Sequence, residues 1–142
     1  MNNTRKKEII NLAKQLKTQY SSNPFDLCQT FGISVLTRIG YGKGFTSHTI
    51  KMPGYPTTIV LNGELDYTGQ TVVCAHELGH ALLHDEGINF FKTTQKNLFT
   101  DVEHEANLFA VAFLFNEWEL AVPLESMSNY VLKSLLDYNI VQ

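Results

Sequence analysis

The sequence has 142 residues, of which 44% are hydrophobic and 11% aromatic, and this size and composition fit one domain with a single hydrophobic core. A formal net charge of -3 excludes a general nucleic-acid binder, which would carry a strong basic excess, so we expect no direct nucleic-acid binding. The longest apolar run, residues 108–115, is far shorter than the roughly 20 residues that span a bilayer, and the N-terminus shows no apolar export signal, so we expect a cytoplasmic protein without a membrane partner.

The first half of the chain predicts two helices followed by strands and turns. Apolar residues recur at helical spacing from residue 4 to about 20, which predicts an amphipathic helix. Asn23 and Pro24 predict a second, short helix through residue 31, because asparagine caps a helix and proline fits its first turn. Residues 33–37 and the β-branched segment 57–61 predict two strands, and the glycine and proline residues at 40–44 and 52–56 predict turns.

The second half predicts mainly helices. Asp66 or Thr68 is expected to cap a helix that runs to residue 84, and residues 85–99 predict a polar loop. Thr100 and Glu103 match a capping box, which places the start of the next, strongly apolar helix at residue 101 and its end near residue 118. One or two further helices, broken by Pro123, complete the chain. This order of elements predicts the α+β class.

We therefore expect a single domain over residues 1–142, with three parts. Residues 1–22 form an N-terminal amphipathic helix, residues 23–118 form the core, and residues 119–142 form C-terminal helices.

The segment HELGHALLH predicts a metal site. His76 and His80 lie one turn apart on the same helix face, so their imidazoles can bind one tetrahedral ion. Glu77 is turned from them by about 100° and stands where a general base for a metal-activated water belongs. His84 lies about 12 Å along the helix axis from His76, which is too far for both to share an ion.

The third protein ligand is expected from the sequence Glu103-His104-Glu105, at the start of the following helix. The capping box already accounts for Glu103. Glu105 lies on a mostly apolar face, where a carboxylate is costly unless a cation satisfies it, and a zinc ion would do so. This argument favours Glu105 as the third ligand, with His104 and Glu103 as the alternatives.

The pair of motifs HELGHALLH and EHEANLFA resembles the ImmA/IrrE family of zinc endopeptidases. The earlier segments 23–27, 31–35 and 58–62 are also similar to blocks of that family, so the resemblance covers roughly residues 24–115. A later Glu-Ala-Asn-x-Phe-Ala makes the match much more specific than HExxH alone, which many zinc hydrolases share.

The resemblance implies a zincin-like, gluzincin-type fold, in which a small antiparallel sheet packs on the HExxH helix and its edge strand receives an extended peptide. It implies one zinc ion per chain, bound by His76, His80 and Glu105, with Glu77 as the base. Family members often belong to prophages or mobile elements and cut a helix-turn-helix repressor, which suggests a repressor as the protein substrate.

The leading hypothesis is therefore a zinc-dependent endopeptidase that cleaves a cytoplasmic protein, namely a transcriptional repressor of a phage or mobile element. The alternative is a non-catalytic, antirepressor-like binding module in which the metal is structural. Glu77 counts against the alternative, because a structural site has no use for a carboxylate in the position of the base.

Overall fold

The computed structural model describes residues 1–40, 46–84 and 96–140, with the backbone alone for residues 96–100. It confirms the α+β class. In these ranges, short 3-10 segments at Glu117–Glu119 and Leu124–Ser126 connect the last two helices. The other elements, in chain order, are α1 (Asn3–Gln19), α2 (Pro24–Thr30), β1 (Ser34–Arg38), β2 (Ser47–Ile50), β3 (Thr58–Asn62), α3 (Tyr67–Leu83), α4 (Lys96–Leu114) and α5 (Asn129–Ile140).

The first two helices agree with the sequence pattern to within about two residues, because local capping determines where they begin. The side chain of Asn2 accepts a hydrogen bond from the backbone of Arg5 at 2.8 Å and caps α1. The side chain of Asn23 caps α2 in the same way through the backbone of Phe25, and Pro24 occupies the first turn. Both helices direct their apolar residues into one hydrophobic core.

The sheet is mixed, and not antiparallel as the resemblance implied. Its strand order is β1-β3-β2, with β1 parallel to β3 and β2 antiparallel to β3. The chain passes from one edge of the sheet to the other and returns through the middle, so β3 runs in the same direction as β1. This makes β3 the central strand, and Ile59 and Leu61 are fully buried in it.

The sequence pattern did not predict β2. This four-residue strand lies between the turns predicted at 40–44 and 52–56. Residues 41–45, which include most of the first turn, fall outside the described residues. The other predicted turn is confirmed: Gly54 has a φ of 83°, and the backbone of Tyr55 donates to the carbonyl of Met52 at 3.1 Å. In the described sheet, β2 is the edge strand that lies against α3.

Helix α3 begins as predicted, whereas α4 does not. The carboxylate of Asp66 accepts a hydrogen bond from the backbone of Gly69 at 2.7 Å and caps α3. Helix α4 begins at Lys96, five residues before the predicted start, so Thr100 lies inside the helix and the predicted capping box is wrong. The loop predicted at 85–99 therefore does not extend past residue 95, and residues 85–95 fall outside the described residues.

Helices α3 and α4 pack closely because Gly79 has no side chain. A Cβ atom at this position would lie 3.2 Å from the Cα and the carbonyl oxygen of Ala106, and 3.2 Å from the Cβ of Phe109. Phe109 and Phe113 are buried next to this contact and stack with their ring centroids 5.9 Å apart. The close approach brings Glu103, which lies seven residues into α4, next to the HExxH turn of α3.

Charged residues of α1 pair with the acidic C-terminal half of the chain. The guanidinium of Arg5 binds Glu105 of α4, and Lys14 binds Glu117 at 2.6 Å. These contacts pair basic residues near the N-terminus with acidic residues of the C-terminal half. None of the helices in the described ranges combines the length and apolarity that crossing a membrane requires.

We expect Gly79→Ala to lower the free energy of unfolding by about 1 kcal/mol, because overpacking against the α4 backbone costs about 1–3 kcal/mol and alanine returns about 1 kcal/mol of helix propensity. Urea denaturation with a metal chelator present measures this, since bound metal then adds nothing to the stability. A gain of about 1 kcal/mol, the effect of helix propensity alone, would contradict the close contact.

Candidate metal centre

Helix α3 places His76 and His80 side by side on the face that meets α4. Their ring centroids are 4.8 Å apart, and the rings are nearly perpendicular, at 86°. This is the arrangement that the i, i+4 spacing predicted. Both side chains are largely buried, with exposed fractions of 18% and 16%.

The carboxylate that completes this cluster comes from Glu103. Its Oε2 lies 2.7 Å from Nε2 of His80, and its Oε1 lies 3.5 Å from Nε2 of His76. In the described part of the chain, these three residues form the one group of potential metal ligands, with their ligand atoms within 4.8 Å of one another. Donors bound to a tetrahedral zinc ion are about 3.3 Å apart, so two imidazoles and a carboxylate at these separations fit a metal ion.

Glu103 and His76 each stabilise the charged form of the other. Partial burial alone would raise the pKa of Glu103, but the hydrogen bonds from His76 and His80 hold that pKa well below its usual value. Burial alone would likewise lower the pKa of His76. The hydrogen bond with Glu103 and the negative charges of Glu77 and Glu103 outweigh this effect, so the pKa of His76 is raised. The site therefore has a strong demand for positive charge, which a metal cation satisfies.

Glu105 does not join the cluster, contrary to the sequence-based preference. Arg5 holds it through a bidentate pair, with Nε 3.0 Å from Oε2 and Nη2 2.9 Å from Oε1. His84 approaches the same Oε1 through Nε2 at 3.0 Å. Burial alone would raise the pKa of Glu105, but the hydrogen bonds from His84 and Arg5 hold it at about 2.

His104, the other alternative, also lies away from the two histidines of α3. Its imidazole has the charges of Lys6, Asp101 and the N-terminus around it and bonds the backbone of Met127. Its Nε2 is buried and finds no hydrogen-bond partner among the described residues. Of the three sequence-based candidates, the structure thus brings Glu103 to His76 and His80, and it brings neither Glu105 nor His104.

Glu77 is buried beside the cluster and is held by the edge strand. Its exposed fraction is 5%, and its Oε2 lies 3.9 Å from Nε2 of His76. Ser47 donates to Oε2 at 2.8 Å, and Thr49 donates to Oε1 at 2.6 Å. The two hydroxyls come from alternate positions of β2, which face the same side of the strand. Sequence reasoning missed both residues, because it missed the strand that carries them.

Asn107 is a buried amide beside the cluster. It lies one turn after Glu103 on α4, is 3% exposed, and its side chain helps to raise the pKa of His76. Its amide nitrogen donates to the side-chain oxygen of Asn129 in α5 at 2.7 Å. This hydrogen bond connects α4 to α5 next to the cluster.

The cluster opens into a cavity of about 730 Å³. Strand β2 forms one wall and α5 forms the opposite wall, while the HExxH turn and Glu103 lie between them. The apolar part of the lining consists mainly of Ile50, Val72, Val73, Val102, Leu136 and Ile140. Such a cavity, with an apolar lining and a few convergent polar groups, is typical of a ligand site.

The fold and the site together define a class: a zincin-like α+β protein with an HExxH-type site whose His/His/Glu cluster is compatible with a metal ion. The family model described as Peptidase M78, the IrrE N-terminal-like domain, matches residues 28–136. The chain therefore belongs to this family, which confirms the resemblance to ImmA and IrrE proteins.

Two curated relatives agree with this assignment. An immunity region protein 2 of Bacillus phage phi105 is 36% identical over 117 residues, which cover 80% of this chain and 69% of the relative. The metallopeptidase ImmA of Bacillus subtilis (strain 168) is 29% identical over 126 residues, which cover 87% of this chain and 72% of the relative. No solved structure matches the chain.

We expect Thr49→Val to lower the free energy of unfolding by about 1–3 kcal/mol, because it removes a hydrogen-bond donor from a buried carboxylate without changing the shape of the side chain. Thr49→Ser keeps the hydroxyl and should retain most of the stability. Urea denaturation in chelator measures both variants. Equal stability of the valine variant and the wild type would show that Glu77 does not depend on this hydroxyl.

We expect Glu103→Gln to weaken divalent metal binding strongly, since the amide removes the anionic ligand from the cluster. Titration calorimetry with Zn²⁺ as the probe measures the affinity. Asp101→Asn is the matched control, because it removes an exposed carboxylate from the same helix and should leave the affinity unchanged. An unchanged affinity of the Glu103 variant would remove this residue from the ligand set.

Proposed function

We propose that this protein is a zinc-dependent endopeptidase that cleaves a cytoplasmic helix-turn-helix repressor of a phage or mobile element. The observation that carries the proposal is the position of Glu77. It is a buried carboxylate, fixed by two hydroxyls, beside a His/His/Glu cluster at the base of an open cavity.

The ligands of the zinc ion in this proposal are His76, His80 and Glu103. Two imidazoles and one carboxylate leave a fourth position open, as catalytic zinc sites do and structural sites do not. When bound, zinc supplies Lewis-acid polarisation of the scissile carbonyl and lowers the pKa of a water molecule.

The proton transfers are assigned to Glu77. Its carboxylate accepts a proton from the attacking water and returns it to the leaving amine, which is the ordinary sequence of general base and general acid. The hydroxyls of Ser47 and Thr49 keep this carboxylate directed at the cluster before substrate binds.

Strand β2 is the proposed binding edge for an extended peptide. It lies at the margin of the described sheet, pairs with β3 on one side and lines the cavity on the other. A peptide that adds to this edge would make backbone hydrogen bonds, and its side chains would alternate between the cavity and solvent. Strand β3, which residues 57–61 predicted, lies in the centre of the described sheet and is therefore not this edge.

The names of the relatives support the proposed substrate class. One relative is named for the immunity region of a phage, and another is named as the metallopeptidase ImmA. Phage immunity depends on a repressor that silences phage genes, and such a protein is a suitable target for a peptidase of this family. A non-catalytic binding module would gain nothing from a buried, doubly hydrogen-bonded Glu77.

We expect Glu77→Gln to retain zinc and to lower cleavage by about 10²–10⁴-fold, because the amide cannot accept the proton of the water. Elemental mass spectrometry measures the zinc. Labelling of new protein N-termini, after incubation of each variant with a lysate of the organism that encodes the protein, identifies the substrate and the cut.

Glu117→Gln is the control for this experiment. It removes an exposed carboxylate from the 3-10 segment that follows α4, so this variant should cut as the wild type does. Identical new N-termini from wild type and Glu77→Gln would refute the role of Glu77. If the wild type cuts nothing, and both the wild type and Glu77→Gln bind a repressor without cutting it, the binding-module alternative is correct.

A further inference from the structure

A continuous line of polar side chains connects α1 to the metal cluster. It runs from the guanidinium of Arg5 to the carboxylate of Glu105, then to His84, and ends at His80. Nε2 of His84 lies 3.0 Å from Oε1 of Glu105, and Nδ1 of His84 lies 3.1 Å from Nδ1 of His80. Glu105 and His84 are well buried, with exposed fractions of 15% and 10%.

When a metal ion is bound at Nε2 of His80, the direction of each hydrogen bond in this line is determined at both ends. At one end, the Glu105 carboxylate can only accept, so Nε2 of His84 donates to it. At the other end, an imidazole nitrogen that binds a metal carries no proton, so a neutral His80 that binds through Nε2 has its proton on Nδ1.

One arrangement of protons satisfies both ends. His80 donates from Nδ1, and Nδ1 of His84 accepts, which requires that His84 is neutral with its proton on Nε2. That proton then points at Glu105. The 2.7 Å separation between Nε2 of His80 and Glu103 shows that the metal-binding nitrogen of His80 does face the cluster.

We propose that Glu105 and His84 are positioning residues, which hold His80 in the Nδ1–H tautomer and direct its Nε2 at the metal. Arg5 keeps Glu105 ionised and in place through its bidentate pair. The inference rests on the metal centre of the proposed function, and it assigns the third histidine of HELGHALLH to the support of the second.

The line also accounts for the burial of Glu105. A carboxylate on an apolar helix face needs a cation, and the guanidinium of Arg5 provides it in place of a metal. An ion pair of Arg5 and Glu105 alone would contribute to stability without affecting the tautomer of His80. The contact with His84 extends the effect of the pair to the cluster.

The first test is zinc affinity, measured by competition with a chromogenic chelator. Glu105→Gln should weaken zinc binding by about 10-fold, the lower end of the range typical when a direct partner of a metal ligand is lost, because Glu105 acts on His80 through His84. Glu8→Gln is the matched control, because Glu8 also contacts Arg5, at 3.5 Å, but does not contact His84. Its affinity should equal that of the wild type.

The second test reads the tautomers directly, first in the wild type and then in Glu105→Gln. Long-range proton–nitrogen NMR of zinc-loaded wild-type protein, labelled with ¹⁵N at histidine, shows which ring nitrogen carries each proton. We expect the proton of His80 on Nδ1 and that of His84 on Nε2. In Glu105→Gln, the Nε2 signal of His84 should shift.

Three results would overturn the positioning role while leaving the metal centre intact. These are a wild-type affinity for Glu105→Gln, a His84 with its proton on Nδ1, and a loss of zinc in Glu105→Gln as complete as in Glu103→Gln, which would make Glu105 a ligand. Absence of zinc binding by the wild type would instead overturn the proposed function, and the positioning role with it.

Discussion

The close approach of α3 and α4 at Gly79 is the constraint on which the site depends. Two of the three ligand candidates of the cluster lie on α3 and the third lies on α4, so the distance between these helices determines whether Glu103 reaches the histidines. A glycine on one helix and an alanine on the other leave the two backbones almost in contact. A side chain at residue 79 would press on the backbone of Ala106 and on Phe109, so α4 would have to shift relative to α3.

Two carboxylates close together in sequence, Glu103 and Glu105, have different partners for a simple geometric reason. Successive residues of a helix turn by about 100°, so positions 103 and 105 point in roughly opposite directions. Glu103 faces α3 and the cavity, and Glu105 faces Arg5 of α1. Each carboxylate has a cationic or proton-donating partner, and neither could exchange places with the other without rotation of the helix.

Much of the site was predictable from local sequence, and the rest depended on distant contacts. His76, Glu77 and His80 follow from a spacing within one helix turn, and the structure places them as that spacing predicts. The structure brings Glu103 to these histidines, whereas the local sequence favoured Glu105, for two reasons. A capping-box pattern was assigned to a residue inside α4, and the cation that satisfies Glu105 lies 100 residues away along the chain.

The fold shows the same division. Helices α1, α2 and α3 begin where Asn2, Asn23 and Asp66 cap them, and these signals lie within a few residues of the helix. The position of β3 in the centre of the sheet, and the existence of β2 at its edge, depend on strand pairing, which no local pattern specifies. Ser47 and Thr49 could therefore be found only after the strand was placed.

The hydrogen bond between Asn107 and Asn129 has a consequence for the protein as it is being synthesised. Helices α3 and α4 leave the ribosome before α5, whereas a domain generally folds as a unit. Until α5 has emerged and docked, the buried amide nitrogen of Asn107 lacks the acceptor that Asn129 provides. The packing of α4 beside the cluster is therefore complete only when α5 is in position.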